Sequence, residues 1–354
     1  MPIPAGLHPV IQEDLINIAN LPLPWRNLQD KAILITGGNG FLASFLAKSI
    51  LTANKAHHLN CRVICIVRNH SPENSKLREW EGDPNLIIFK QDISQELAHD
   101  FPKANFYIHA ASQASPKYYG VDPVGTLCAN SVGTQNLLSH AHASGAEKFL
   151  FFSSAEVYGQ PIDANIPITE TAYGYLDPMS FRSCYAESKR IGENMCVSWS
   201  RQFMLNTSVV RPFHTYGPGM ALDDGRVFAD FVRDVVAKKN IRVNSAGKAM
   251  RAFCYLADAT AGFLTILLKG ENAQAYNIGN PEAEISIEDL ANTIARLFPE
   301  RNIHCEMQET LDNNFYAKSP IFRICPDIEK IKGLGWAPSI NIADGFKRTI
   351  STYL

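Results

Sequence analysis

The 354-residue sequence predicts an α/β fold: a doubly wound parallel sheet followed by a smaller, mixed α/β C-terminal region. Short apolar runs such as AILIT (32–36) and RVICIV (62–67) are typical of parallel strands that are covered on both faces. Helical stretches such as GTQNLLSHAHASG separate these runs, so strands alternate with helices along the chain. This alternation becomes irregular after about residue 210, which indicates that a differently built region follows.

The elements divide the chain into three parts. Residues 1–30 are polar and contain several prolines, and we expect an appendage with one short helix that packs on the main domain. Residues 31–210 are predicted to form the cofactor-binding domain. Residues 211–354 are predicted to form mainly a substrate-binding region, with some segments returning to the first domain. Further strands of the first domain are predicted in NLIIFKQDI, ANFYIHAAS and KFLFFSSAEVYG.

Composition excludes several classes of protein. Apolar residues make up 46% and charged residues 19%, with a net charge of −2, so nothing favours binding to nucleic acid or to an anionic membrane. No apolar run is long enough for a membrane span, and the N-terminus does not resemble a signal peptide. The eight cysteines form no CxxC pair, so we expect no metal site and a reducing, cytoplasmic location.

A glycine turn follows the first strand. Gly37 and Gly40, with the small Ala43 at a third position, stand between the strand AILIT and a predicted helix. Such glycines allow a tight turn and close approach of a pyrophosphate, which the N–H groups of the helix start can bind. We therefore predict a Rossmann-like dinucleotide site in which Phe41 and Leu42 also contact the cofactor.

The ends of the next two strands bear on the choice of dinucleotide. NAD binding usually places an acid after the second strand, for the ribose hydroxyls. This chain has Arg68 there, which could instead meet the 2′-phosphate of NADP. Asp92 and Ile93 follow the third strand and are expected near the adenine. NAD is the predicted cofactor, and NADP is not excluded.

A tyrosine and a lysine stand four residues apart in SCYAESKR. Tyr185 and Lys189 would lie on one face of a helix, one turn apart. An ammonium group beside a phenol favours the phenolate and so lowers the phenol's pKa. This pair could therefore remove a proton from a sugar hydroxyl.

Four motifs occur in the order found in one enzyme family: TGGNGFLA (36–43), HAAS (109–112), SSAEVYG (153–159) and YAESK (185–189). Together they resemble the extended short-chain dehydrogenase/reductases, which include nucleotide-sugar epimerases, dehydratases and decarboxylases. RSCYAESKR, HTYGPGMALDDGRV, MRAFCYLADA and AYNIGNPE are most similar to segments of UDP-glucuronate decarboxylases. The resemblance extends from about residue 30 to the C-terminus.

The resemblance implies roles for individual residues. It makes Tyr185 the base for the sugar 4-hydroxyl, assisted by Lys189, while Ser154 hydrogen-bonds the same oxygen. His214 replaces an asparagine of the decarboxylases and is treated as a hydrogen-bonded filler. Further cofactor contacts are implied for Ala110, Ala111, Ser112, Thr215 and Arg226, and substrate contacts for Ser154, Glu156, Arg251 and Arg323.

The reaction after oxidation at C4 depends on residues 155 and 156. Typical dehydratases carry an Asp-Glu pair here, whereas this chain has Ala155 and Glu156. The missing acid disfavours the common dehydratase, and the retained Glu156 disfavours a plain 4-epimerase. Gly219 and the spacing of Arg323 depart from the decarboxylase pattern. UDP-glucuronate decarboxylation is the first choice, and dehydration and epimerisation stay open.

Two other classes of function were weighed. A cofactor-sensing binding protein without turnover usually lacks the Tyr/Lys pair, which this chain retains. A simple NADP-dependent ketone reductase is favoured by Arg68 but disfavoured by GRVFADF and MRAFCY, which resemble a nucleotide-sugar subsite. Because many relatives dimerise through two helices per subunit, we also expect a homodimer that uses the helix carrying Tyr185.

Overall fold

A parallel sheet of seven strands forms the centre of the computed structural model, which describes residues 3–4, 6–161, 165–243, 247–307 and 321–354. The strand order is β10-β6-β5-β4-β1-β2-β3, and every pair in it is parallel. The order reverses between β1 and β4, and ligands of such sheets bind beyond the carboxyl ends of strands at this point. The strands are β1 (Ala32–Thr36), β2 (Arg62–Val67), β3 (Leu86–Lys90), β4 (Phe106–His109), β5 (Lys148–Phe152), β6 (Thr207–Pro212) and β10 (Gln274–Ile278).

Helices cover both faces of this sheet, as the continuous apolar strands require. Alternate residues of a strand point to opposite faces. Ile33 and Ile35 of β1 pack with one set of helices, and Leu34 packs with the other set. The doubly wound fold class is thereby confirmed. The first set includes α1 (Pro9–Ala19), α2 (Phe41–His57) and α8 (Leu256–Lys269), and the second includes α5 (Val132–Ala143) and α6 (Cys184–Phe203).

A smaller region with its own core follows β6. Strand β9 (Met250–Tyr255) is central there: β7 (His214–Tyr216) and β13 (Arg323–Ile324) pair with it in parallel, and β11 (Glu284–Ser286) pairs antiparallel. Strands β8 (Ile241–Val243) and β12 (Cys305–Met307) form a parallel pair. The core is built by α7 (Val227–Val236), α9 (Ile287–Arg296) and α11 (Ile342–Ser351).

The remaining helices are short. Helices α3 (Pro116–Tyr119) and α4 (Pro123–Asn130) connect β4 to α5, and α10 (Glu329–Lys332) lies between β13 and α11. Because β4 and β5 are neighbours, this long connection brings α4 against α6. The division at residue 210 stays a prediction, although β10 returns from the C-terminal part of the chain to the central sheet.

Candidate active site

The glycine turn lies at the switch point of the sheet. Gly37 has φ +69° and approaches the next strand's loop so closely that a Cβ atom would lie 2.8 Å from Ala111 Cα. A Cβ on Gly38 would lie 2.5 Å from Cys65 Cβ. Gly40 is the N-cap of α2, with no side chain bonded to the free N–H groups, and Ala43 is buried. This cradle suits an anionic pyrophosphate, because the backbone is close and the helix N-terminus is open.

The three residues predicted to contact the adenosine end of the cofactor differ in their exposure and in their hydrogen bonds. Arg68 directly follows β2 and is exposed. Asp92 uses its Oδ1 to accept bonds from Ser94 N at 2.9 Å and Ser94 Oγ at 2.7 Å, so half of the carboxylate is engaged within its own loop. Ile93 is buried in the core beside α5. Their cofactor contacts stay predictions.

The loop after β4 is joined to the glycine turn by one threonine. Thr36 Oγ1 accepts a 3.1 Å bond from Ala111 N and contacts Nδ1 of the buried His109 at 2.9 Å. The Ser112 hydroxyl is buried without a hydrogen-bond partner among the described residues. Ala110, Ala111 and Ser112 therefore lie beside the glycine turn, and their contacts with the cofactor stay predictions.

Tyr185 and Lys189 lie one turn apart near the start of α6, facing the carboxyl end of β5. Lys189 Nζ donates to Phe152 O at 2.6 Å and lies 5.7 Å from the centre of the Tyr185 ring. The Ser154 hydroxyl lies close enough to that of Tyr185 to lower the pKa of the phenol. The structure thus brings together the three residues that the sequence analysis placed at the reacting oxygen.

Burial dominates the electrostatics of this pair. It raises the pKa of Tyr185 to about 12, while the Ser154 hydrogen bond and the charge of Arg226 lower it. Burial also lowers the pKa of Lys189 to about 7, partly opposed by Glu193. The expectation that Lys189 alone brings the phenol's pKa down is therefore incomplete, because a desolvated lysine is itself a weaker cation.

Glu156 forms the next part of the wall, one residue beyond Ala155 on a single 3₁₀ turn, Ala155–Tyr158. Its Oε2 lies 3.5 Å from Nη1 of Arg182. The Tyr119 ring stacks on the Tyr185 ring, with centroids 5.2 Å apart. Sequence reasoning singled out neither Arg182 nor Tyr119. Arg182 could have been noticed in the sequence, because it stands three residues before Tyr185 in the same motif.

Arg226 and Thr215 belong to the other side of the site. Nε of Arg226 donates to Asp224 Oδ2 at 2.7 Å, and its charge lowers the pKa of Tyr185. The Thr215 hydroxyl donates to Phe213 O at 3.1 Å, the residue just before its strand β7. His214 lies within electrostatic reach of Arg226 and Arg251, and burial lowers its pKa to about 3, so the ring is neutral near pH 7.

The two predicted substrate arginines differ in how their guanidinium groups are used. Arg251 donates to three backbone carbonyls, those of Met250, Ile321 and Phe322. It also lies within electrostatic reach of Glu156. Arg323 instead forms a two-pronged ion pair with Glu284, with both N···O distances 2.7 Å.

The described parts of the chain contain neither a candidate metal site nor a candidate membrane span. No group of three or more His, Cys, Asp or Glu side chains there could hold a metal ion. No helix of those parts is both long enough and apolar enough to cross a bilayer. The pyrophosphate cradle and the Ser-Tyr-Lys cluster are consequently the features that indicate function.

Comparisons with curated proteins give relatives over nearly the whole chain. UDP-glucuronic acid decarboxylase 6 of Arabidopsis thaliana is 32% identical over 330 residues, covering 92% of this chain and 90% of the relative. UDP-glucuronic acid decarboxylase 1 of Xenopus tropicalis is 32% identical over 322 residues, covering 90% of this chain and 71% of the relative.

Comparisons with solved structures agree on the fold. A dTDP-glucose 4,6-dehydratase from Streptomyces venezuelae, solved with NAD, superposes with a TM-score of 0.76 at 24% identity, covering 91% of this chain and 96% of that one. UDP-glucuronic acid 4-epimerase from Bacillus cereus gives a TM-score of 0.74 at 22% identity, covering 91% and 98%. A family model matches residues 33–279. The resemblance noted in the sequence is confirmed: the chain belongs to the NAD-dependent epimerase/dehydratase family of enzymes.

Proposed function

We propose that this enzyme uses bound, recycled NAD to oxidise UDP-glucuronate at C4 and then releases CO₂ from C6. The observation that carries the proposal is the cluster of Ser154, Tyr185 and Glu156, in which Ala155 replaces the dehydratase acid. The names of relatives that are 32% identical over about nine-tenths of the chain support the same substrate.

The glycine cradle and the loop after β4 would hold the dinucleotide. Gly37, Gly38 and Gly40 leave room for the pyrophosphate, and the open N-terminus of α2 supplies N–H donors. The bound NAD supplies a hydride acceptor for C4 and returns the hydride at the end of the turnover. Because the same NAD molecule accepts the hydride and later returns it, the site must keep it bound throughout the turnover.

Tyr185 would act as the base of the oxidation step. Its phenolic oxygen takes the proton of the C4 hydroxyl while Ser154 hydrogen-bonds the same oxygen. The pKa of Tyr185 in the free protein is raised to about 12, so the phenolate needs nearby positive charge. Lys189 and Arg226 are the cations best situated to provide it.

The C4 ketone makes C6 a β-keto carboxylate. Its C5–C6 bond breaks, CO₂ leaves, and the bonding electrons form an enolate whose negative charge rests on the C4 oxygen. Ser154 and protonated Tyr185 can hydrogen-bond that oxygen. A proton from solvent then returns to C5, and we assign its relay to Glu156, the carboxyl group nearest in sequence to Ser154.

The test is mass spectrometry of the nucleotide sugar after incubation with UDP-glucuronate and NAD. A product lighter by the mass of CO₂ is expected. Loss of water from a dTDP-, GDP- or CDP-hexose instead would identify a dehydratase. A product of unchanged mass with altered retention would identify an epimerase, and either result would contradict decarboxylation.

We further propose a homodimer formed by α4 and α6. These helices pack on each other and expose apolar side chains: Val124 is 66% exposed, and Ile191 and Val197 are each 47% exposed. Light scattering of the purified protein should give twice the chain mass of 39.2 kDa. A Val197→Glu variant should be monomeric, and an unchanged mass would argue against this interface.

A cytoplasmic location is also proposed. All eight cysteines are free thiols, which is expected in a reducing compartment. Burial raises the pKa of the Cys61 and Cys65 thiols to about 12, which keeps them unreactive. Cell fractionation would test the location, and recovery in an oxidising compartment with paired thiols would contradict it.

A further inference from the structure

We propose that Arg182 is the residue that binds the C6 carboxylate of the sugar acid and thereby selects acidic over neutral sugars. The inference deepens the proposed function and rests on it for the identity of the substrate. It starts from the position of Arg182 beside Glu156 and from the unused part of its guanidinium group.

Arg182 lies on the 3₁₀ turn Phe181–Ser183, immediately before α6, so it is fixed by the same element that carries Tyr185. Its side chain is 19% exposed. Nη1 lies 3.5 Å from Glu156 Oε2, longer than a tight charged hydrogen bond. Nε is buried and has no hydrogen-bond partner among the described residues. A largely buried guanidinium group with an unpaired donor is unusual, because such a donor normally finds an acceptor.

The other arginines around the site are more fully engaged. Arg226 is paired with Asp224, Arg251 donates to three backbone carbonyls, and Arg323 makes a two-pronged contact with Glu284. Each of these guanidinium groups is already held by protein acceptors, so a substrate carboxylate there would share the group with them. At Arg182 the competing contact is a single ion pair with an N···O distance of 3.5 Å, and its loss would require little free energy.

Charge explains why a cation is required at this point. A C6 carboxylate close to Glu156 would place two like charges in a largely buried site, which is unfavourable unless a cation lies between them. Arg182 can serve both, since a guanidinium group presents several donors in one plane and suits carboxylates. Among the described residues, Glu156 is the carboxylate that pairs with Arg182 in the free protein. The sugar acid would add a second carboxylate.

The same contact would help to release the product. The sugar carries its C6 negative charge only until CO₂ leaves, so the attraction to Arg182 is lost with the reaction. A neutral pentose then remains, held by its nucleotide diphosphate. Arg182 would thus distinguish substrate from product as well as acidic from neutral sugars.

The test measures binding of three ligands to NAD-loaded protein by calorimetry: UDP-glucuronate, UDP-glucose and UDP. A Tyr185→Phe background slows turnover enough for binding to be titrated. Arg182→Gln should weaken UDP-glucuronate binding about 10- to 100-fold, the usual value of a charged hydrogen bond. UDP-glucose and UDP should bind unchanged, since neither has the carboxylate. Arg182→Lys should recover part of the loss, because it restores charge without the planar fork.

Arg201→Gln is the matched control, because Arg201 lies in the last turn of α6, at the end away from Arg182, and is exposed. Its affinities should equal those of the parent. Thermal unfolding by circular dichroism would establish that each variant is folded. Equal losses for all three ligands in Arg182→Gln, or no loss for any, would overturn the inference.

The two proposals can fail separately. If the unmutated enzyme releases CO₂ but Arg182→Gln keeps its preference for UDP-glucuronate, the assignment of Arg182 is wrong and the reaction stands. If no CO₂ is released but the preference disappears in Arg182→Gln, the carboxylate site stands and the reaction is wrong. The second result would point to an enzyme that epimerises the acidic sugar.

Discussion

Tyr185 has an environment that suits a base only when substrate and cofactor are present. Its ring is 6% exposed and stacks on Tyr119. Burial raises its pKa, and Ser154 and Arg226 act in the opposite direction. In the free protein the phenol is therefore protonated near pH 7. Phenolate formation then requires nearby positive charge, for which Lys189 and Arg226 are the proposed sources.

Removing this hydroxyl tests its role directly. Tyr185→Phe should lower kcat by about 10²- to 10⁴-fold, the usual contribution of a general base, with little change in UDP-glucuronate affinity. Turnover is measured as CO₂ release. Tyr119→Phe keeps the stacked ring and loses only a bond to Ala114 O, so it should retain activity within a few-fold. Similar losses in the two variants would mean that ring packing, not the hydroxyl, is required.

The buried, neutral ring of His214 should lower the stability of the protein in acid. Its folded pKa is lowered to about 3, below the ordinary value of 6.5. Below about pH 6.5 the unfolded chain takes up a proton that the folded ring does not, so stability falls with pH by about 1.4 kcal/mol per pH unit for one such histidine. His214→Asn should reduce this slope in urea unfolding between about pH 6 and pH 4. An identical slope would show that the ring does not stay neutral.

Helix α6 carries the proposed catalytic pair, Tyr185 and Lys189, and is fixed to two strands by one carboxylate. Glu193 Oε1 accepts bonds from Ser153 Oγ at 2.5 Å and from Arg211 Nε at 2.8 Å, and its Oε2 contacts Arg211 Nη2 at 2.6 Å. Ser153 immediately follows β5, and Arg211 lies in β6. This cluster holds α6 in register with Ser154. It also raises the pKa of Lys189 against the effect of burial.

Glu193→Gln should therefore lower the free energy of unfolding more than a surface substitution on the same helix does. Arg211 is 2% exposed, and removing the charge of its partner leaves a buried cation unpaired, which costs about 3–5 kcal/mol. Glu187→Gln is the control, since Glu187 pairs with Arg190 at 3.7 Å near the surface. Such a surface pair contributes about 0–1 kcal/mol to the free energy of unfolding. The free energy of unfolding in urea measures both. Equal effects would contradict the proposed function of Glu193 in holding α6.

Apolar strands, the glycine turn and the Tyr/Lys pair could be predicted from sequence because each depends on local pattern, whereas Ser154 was placed beside that pair by the family resemblance. The strand AILIT and the glycines after it are consecutive, so their geometry follows from neighbours. The pairing of Arg323 with Glu284 and of Arg182 with Glu156 joins residues that are distant in sequence. Such contacts depend on how β11, β13 and the start of α6 pack, which no local pattern specifies.

The N-terminal segment connects the two cores of the molecule. Helix α1 packs on α2 and α8, and Asp14 within it is 2% exposed. Asp14 Oδ2 accepts a 2.6 Å bond from the Tyr255 hydroxyl at the end of β9, and Oδ1 accepts one of 2.6 Å from Arg348 in α11. A carboxylate of the first twenty residues thereby joins the central sheet's helices to the substrate side, where Tyr255 belongs to the second core.

The same arginine provides a matched pair of variants for this connection. Arg348 also contacts Glu13 at 3.2 Å, but the Glu13 side chain is 58% exposed whereas that of Asp14 is 3% exposed. Asp14→Ala leaves a buried tyrosine hydroxyl and a guanidinium group without their acceptor and should lower the free energy of unfolding by about 3 kcal/mol or more. Glu13→Ala breaks only an exposed pair and should change it by about 0–1 kcal/mol. Urea unfolding of both, followed by fluorescence, gives the comparison. If Asp14→Ala lowers the free energy of unfolding no more than Glu13→Ala does, this carboxylate does not hold the two cores together.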